Sequence, residues 1–161
     1  MPESVADATV RIAAARYLGM LAPEEVIAWA VRRVAVGDSG DALVQIAALR
    51  ADASATDLDV LLRDLTEEVG AAIGSKRDAA LTVATATARD LDDDVIEPIT
   101  AARRMRDIAH RAPAVEPALR EFVGLAGEWE DDPQGRRQYE DDIRRLGRSC
   151  LAEWGHEGWP S

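Results

Sequence analysis

An all-α fold is the reading that three features of this sequence agree on. Apolar residues recur at helical spacing along nearly the whole chain, proline and glycine punctuate it about where helices of ordinary length start and stop, and alternation of β-branched with polar residues is almost absent. About eight short antiparallel helices are expected, in one domain over residues 1–161 or in two packed four-helix halves. With 161 residues the chain is long enough for one core.

The first helix is expected from Val5 to Leu18, with Val5, Ile12, Ala15 and Leu18 inward and Gly19 as its stop. Pro23, Glu24 and Glu25 then open a second, because proline loses nothing in a first turn and acids suit the positive end of the helix dipole. Its stripe is Val26, Ile27, Ala30, Val31 and Val34, ending at Gly37. A short third helix starts at Ser39 or Gly40 and runs through Leu49. Thr56 caps a fourth, with Leu58, Leu61, Leu62, Leu65 and Val69 on one face and Gly70 behind it.

Ser75 and Asp78 have the spacing of a capping box for a fifth helix to Leu91, although the threonine-rich tract 81–88 also has a strand alternative. Pro98 starts a sixth helix to Arg111. A seventh follows Pro113 and Pro117 and carries Leu119, Phe122, Val123, Ala126 and Trp129. The eighth starts near Pro133 and runs to Trp154, with Tyr139, Ile143, Leu146, Cys150 and Trp154 as its buried stripe. Residues 70–75 are the expected seam between halves, and 155–161 reads as a frayed tail.

Composition narrows the function classes. The longest apolar stretch, Ala42 to Leu49, is far below the ~20 residues of a membrane span, and Met1-Pro2-Glu3-Ser4 lacks the basic start of a secretory signal. Cys150 is the single cysteine, which excludes an intramolecular disulfide and suits a reducing cytoplasm. A net charge of -11 repels polyanions at long range, so direct nucleic-acid binding is not expected.

Few patterns bear chemistry. Gly37-Asp38-Ser39-Gly40-Asp41 resembles a phosphate loop only in its glycines, and its two carboxylates argue for a cap-to-cap turn. Asp107 with His110, and Glu153 with His156, repeat a carboxylate-to-imidazole spacing of three, as in di-metal bundles. Asp is in one acid position, and Gly155 precedes His156, so a solvated pair and a tail histidine are the simpler reading. No catalytic set and no cofactor are expected.

Two acidic runs remain as candidates for a partner-binding surface. One is Trp129 with Glu130, Asp131 and Asp132, where a large aromatic side chain and dense carboxylates coincide at a helix end. The other is Asp92, Asp93, Asp94 and Glu97, which lacks the glycine and distal glutamate of a calcium loop. Should Arg103, Arg106 and Arg137 converge, an anionic ligand becomes credible.

The segment Trp129-Glu130-Asp131-Asp132-Pro133, with Arg136, Tyr139-Glu140, Ile143 and Leu151, resembles one found in small uncharacterised bacterial proteins, often actinobacterial. That resemblance covers about the last 50 residues and implies a bacterial, all-helical protein without enzymatic activity. The expected function is a non-catalytic acidic protein-binding module, most concretely an immunity protein or antitoxin-like inhibitor with a basic protein partner. The alternative is a helical scaffold or homo-oligomer joined through Trp154 and Trp159. The third reading is the metal-binding bundle.

Overall fold

The computed structural model describes residues 4–50, 53–113 and 117–154. Among them are eight helices and no strand: α1 Val5–Tyr17, α2 Pro23–Ala35, α3 Asp41–Ala48, α4 Ala55–Glu68, α5 Lys76–Asp92, α6 Pro98–Arg111, α7 Pro117–Asp131 and α8 Arg136–Trp154. The all-helical class is as expected. The threonine-rich tract is helical too, and Thr87 donates its hydroxyl to the Val83 carbonyl one turn back at 2.8 Å, which satisfies that buried hydroxyl within the helix.

The chain divides into two compact units, Met1–Ala79 and Ala80–Ser161. The expected seam at 70–75 precedes the observed boundary, which falls in the first turn of α5. In the first unit, α2 packs on α3, α3 on α4, and α1 on α4 and α2. Val26, Trp29, Ala30, Leu43, Ile46, Leu58, Leu62 and Leu65 form its core. In the second, α6, α7 and α8 pack on one another, and Leu91, Met105, Ile108, Leu119, Phe122 and Ile143 are among its fully buried side chains.

Helix ends follow local chemistry. Gly19, Gly37 and Gly70 all have positive φ, at 70°, 99° and 71°, the left-handed conformation that glycine adopts without a Cβ clash. Pro23 and Pro98 sit at the first helical positions, as expected. The start of α4 differs from expectation: Ser54 is the cap, and its hydroxyl accepts the Thr56 N–H at 3.1 Å. Ser75 accepts the Asp78 N–H at 3.1 Å and donates its own hydroxyl to the Asp78 carboxylate at 2.8 Å.

Three inward assignments change. Val31 is 48% exposed and Trp29 is buried in its place, because Trp29 and Ala30 continue the three-and-four spacing from Val26 while Val31 lies about 100° around the helix. Val5 is only half-buried, whereas the half-buried Ile12 packs against the core as expected, and small residues line most of the buried face of α1. On α8, Leu146 is half-buried while Gly147 is buried. A Cβ at Gly147 would stand 2.9 Å from Leu91 Cδ2, so glycine allows Leu91 to come close.

Candidate functional site

The Trp129 segment forms the end of α7, where three helices of the second unit meet. Arg103 and Arg106 stand one turn apart on α6 and both reach Glu130, at 3.0 and 3.3 Å. The Arg103 guanidinium also lies 5.7 Å from the Trp129 ring centroid. From α8, Arg136 covers the same ring at 4.2 Å and Glu140 accepts the indole N–H at 3.1 Å. Two cations over one indole are favourable contacts of about 0.5–1 kcal/mol each where solvent reaches them.

This arrangement has a direct electrostatic consequence. Hydrogen bonds from Arg103 first, and then Arg106, hold the Glu130 carboxyl below the usual carboxylate range. Glu130 is thus the anion on which these two arginines converge, so their convergence leaves that position filled from within. Arg137 is exposed on the first turn of α8.

Asp132 is also engaged locally. Its carboxylate accepts the Gln134 N–H at 3.0 Å and the Tyr139 hydroxyl at 3.3 Å, shaping the turn into α8. Burial first, and then the Asp132 charge, push the Tyr139 phenol above its ordinary pKa. Gly135 leaves room for these side chains, since a Cβ there would lie 2.5 Å from Asp132 Oδ2 and 2.6 Å from Tyr139 Cε2 and would make one of them shift. Asp131 and Glu128 are exposed. The predicted candidates therefore divide into a latch, Trp129 and the exposed but arginine-paired Glu130, and an acidic rim of Asp131 and, in part, Asp132, to which the exposed Glu128 adds.

The second acidic run lies in the turn between α5 and α6. Asp92, Asp93, Asp94 and Glu97 are all exposed. Asp94 has φ 54°, a left-handed conformation that Asp tolerates better than most residues. Its carboxylate pairs with Arg144 of α8 at 2.6 Å, and Glu97 occupies the backbone position that caps α6.

Two grooves were not legible in the sequence. One lies between α7 and α8, has a volume of about 480 Å³, and combines Leu125 and Leu146 with Glu121, Glu128 and Asp142. The only sequence signal for it is spacing: Glu121, Leu125 and Glu128 fall on one helical face. The other is within the first unit, has a volume of about 680 Å³, and is bordered by the Arg16 to Asp59 ion pair and by Tyr17, which is 58% exposed.

The remaining patterns serve the fold. In the glycine-containing loop, Asp38 pairs with Arg33, and the Ala42 N–H at the start of α3 donates to Glu68 at 3.0 Å, so a carboxylate of the chain itself occupies an amide that a phosphate would need. Asp107 and His110 are exposed, while His156 lies outside the described residues. Among those residues no group of three or more His, Cys, Asp or Glu is arranged to hold a metal ion, and no helix is long and apolar enough to cross a membrane. Trp154 is 7% exposed and completes the stripe of Ile143 and Cys150 as expected for α8, so the exposed contact that the oligomer alternative needs from it is not there. Its intended companion Trp159 lies outside the described residues, as does the rest of the 155–161 tail. No family model, curated protein or solved structure matches the chain.

Proposed function

We propose that the chain is a non-catalytic acidic protein-binding module whose partner presents a basic surface, most concretely an immunity protein or antitoxin-like inhibitor acting in the cytoplasm. The observation that carries this reading is the division of labour at the end of α7. Arg103, Arg106 and Arg136 engage Trp129 and Glu130, while Glu128 and Asp131 beside them face solvent. A braced backbone presenting charge loses little freedom on binding, and an acidic surface on a chain at -11 speeds encounter with a basic partner.

Trp129 then supports the surface from beneath, and the carboxylates do the recognising. Nucleic acid and membrane are not partners in this reading. The test is co-expression with the proteins encoded immediately beside this one. A basic nuclease-like or toxin-like neighbour should co-purify with the chain at low salt and be released as salt rises. Should every basic neighbour stay unbound while the chain is folded, the reading is wrong.

A further inference from the structure

We infer that the groove between α7 and α8 docks a basic amphipathic helix of the partner, an inference that rests on the reading just given and names the element recognised. The groove is lined from two consecutive helices that pack on each other: Glu121, Gly124, Leu125 and Glu128 from α7, with Asp142, Arg145, Leu146 and Ser149 from α8. Leu125 and Leu146 are half-buried, which leaves apolar surface in the floor. Arg145 also borders it, but pairs with Asp142 one turn away. The rim is therefore acidic on balance, and an occupant with cationic flanks complements it.

The spacing of the rim fits a helix. Glu121 and Glu128 are two turns apart on one face of α7, about 10.5 Å along its axis. A docking helix with Lys or Arg two turns apart can meet both, with leucines at i and i+4 resting on Leu125 and Leu146, the helix-in-groove mode of recognition.

Gly124 supplies an observation independent of charge. Glycine inside a helix is about 1 kcal/mol less favourable than alanine, and at Gly147 the close approach of Leu91 accounts for it. At Gly124, as at Gly127 on the same helix, a Cβ would meet nothing within 4 Å, so packing within the chain gives no reason for glycine at either, and of the two it is Gly124 that lines the groove. A second backbone approaching from outside gives a reason there, because absence of a Cβ lets the two come close.

The experiment uses three fluorescein-labelled peptides against the full chain, read by anisotropy. The first is helical, with Lys and Arg flanking an i, i+4 leucine stripe; the second has the same composition scrambled; the third carries Glu in place of each basic residue. The first should bind about tenfold tighter than the second. Gly124→Phe, which fills the groove from an unobstructed position, should abolish that preference with the circular dichroism spectrum unchanged. Glu121→Gln with Glu128→Gln should weaken the first peptide by about tenfold, and this pair carries the test if Gly124→Phe does not fold. Equal binding of the first two peptides, or a preference that survives the variants, overturns the groove while leaving the acidic-module reading in place. Equal binding of all three overturns both.

Discussion

At the scale of single residues, Trp129 shows how sequence neighbours and spatial neighbours diverge. In the chain it is surrounded by Glu128, Glu130, Asp131 and Asp132, which marks it as an aromatic hot spot among carboxylates. In space its ring meets Arg103 of α6 and Arg136 of α8, both contributed by other helices. The acidity was legible, whereas convergence of α6 with α7 depends on packing that no local pattern encodes. Only the one-turn spacing of Arg103 and Arg106 hinted at a shared target. The latch has a pH signature. Because the folded chain holds Glu130 below its ordinary pKa, its contribution to stability is present above the unfolded glutamate pKa and is lost as pH falls through the folded value. Glu130→Gln should therefore be less stable than wild type at neutral pH and should lose stability less steeply on acidification. Urea unfolding followed by tryptophan fluorescence at several acidic pH values checks this, and parallel curves for the two proteins would contradict it.

At the scale of helices, starts and stops were more legible than facing. Proline at the first position and glycine at the end act within one turn, so Pro23, Pro98, Gly19, Gly37 and Gly70 could be read where they stand. Facing depends on what arrives from elsewhere. The stripe on α8 is best described by Ile143, Gly147, Cys150 and Trp154, and Gly147 belongs to it because Leu91 fills the space beside it. Gly124 and Gly147 are identical as sequence and opposite in environment, which yields paired expectations. Gly147→Val should destabilise by about 1–3 kcal/mol, since Leu91 is 1% exposed and cannot move aside freely. Gly124→Ala should stabilise by about 0.4–1 kcal/mol through reduced freedom of the unfolded chain. Thermal or urea unfolding of both variants measures the difference, and a shift of the same sign in each would show that the two environments have been misassigned.

For the molecule as a whole, the helical class was legible because periodicity accumulates over more than a hundred residues, while the division between Ala79 and Ala80 was legible only to within a few residues, because Gly70 and Gly74 mark the loop and not the turn of α5 where the units part. Charge was legible as a total and illegible as a distribution. The acids of α7 and the following turn are partly consumed by the chain's own arginines, and what remains outward is the rim of Glu128, Asp131 and part of Asp132. The central claim is that this rim, rather than net charge alone, recognises a basic partner. The most direct measurement compares two variants of equal net charge, Asp131→Asn with Asp132→Asn and, in the first unit, the exposed pair Asp57→Asn with Asp64→Asn. Each is titrated with the basic neighbour-encoded protein recovered by co-expression, over a range of salt concentrations, because Asp131 and Asp132 lie outside the peptide groove. The account predicts that the first variant loses affinity by about tenfold at low salt and shows a flatter salt dependence, with the second close to wild type. Equal losses in the two variants, or no loss in the first, would contradict it.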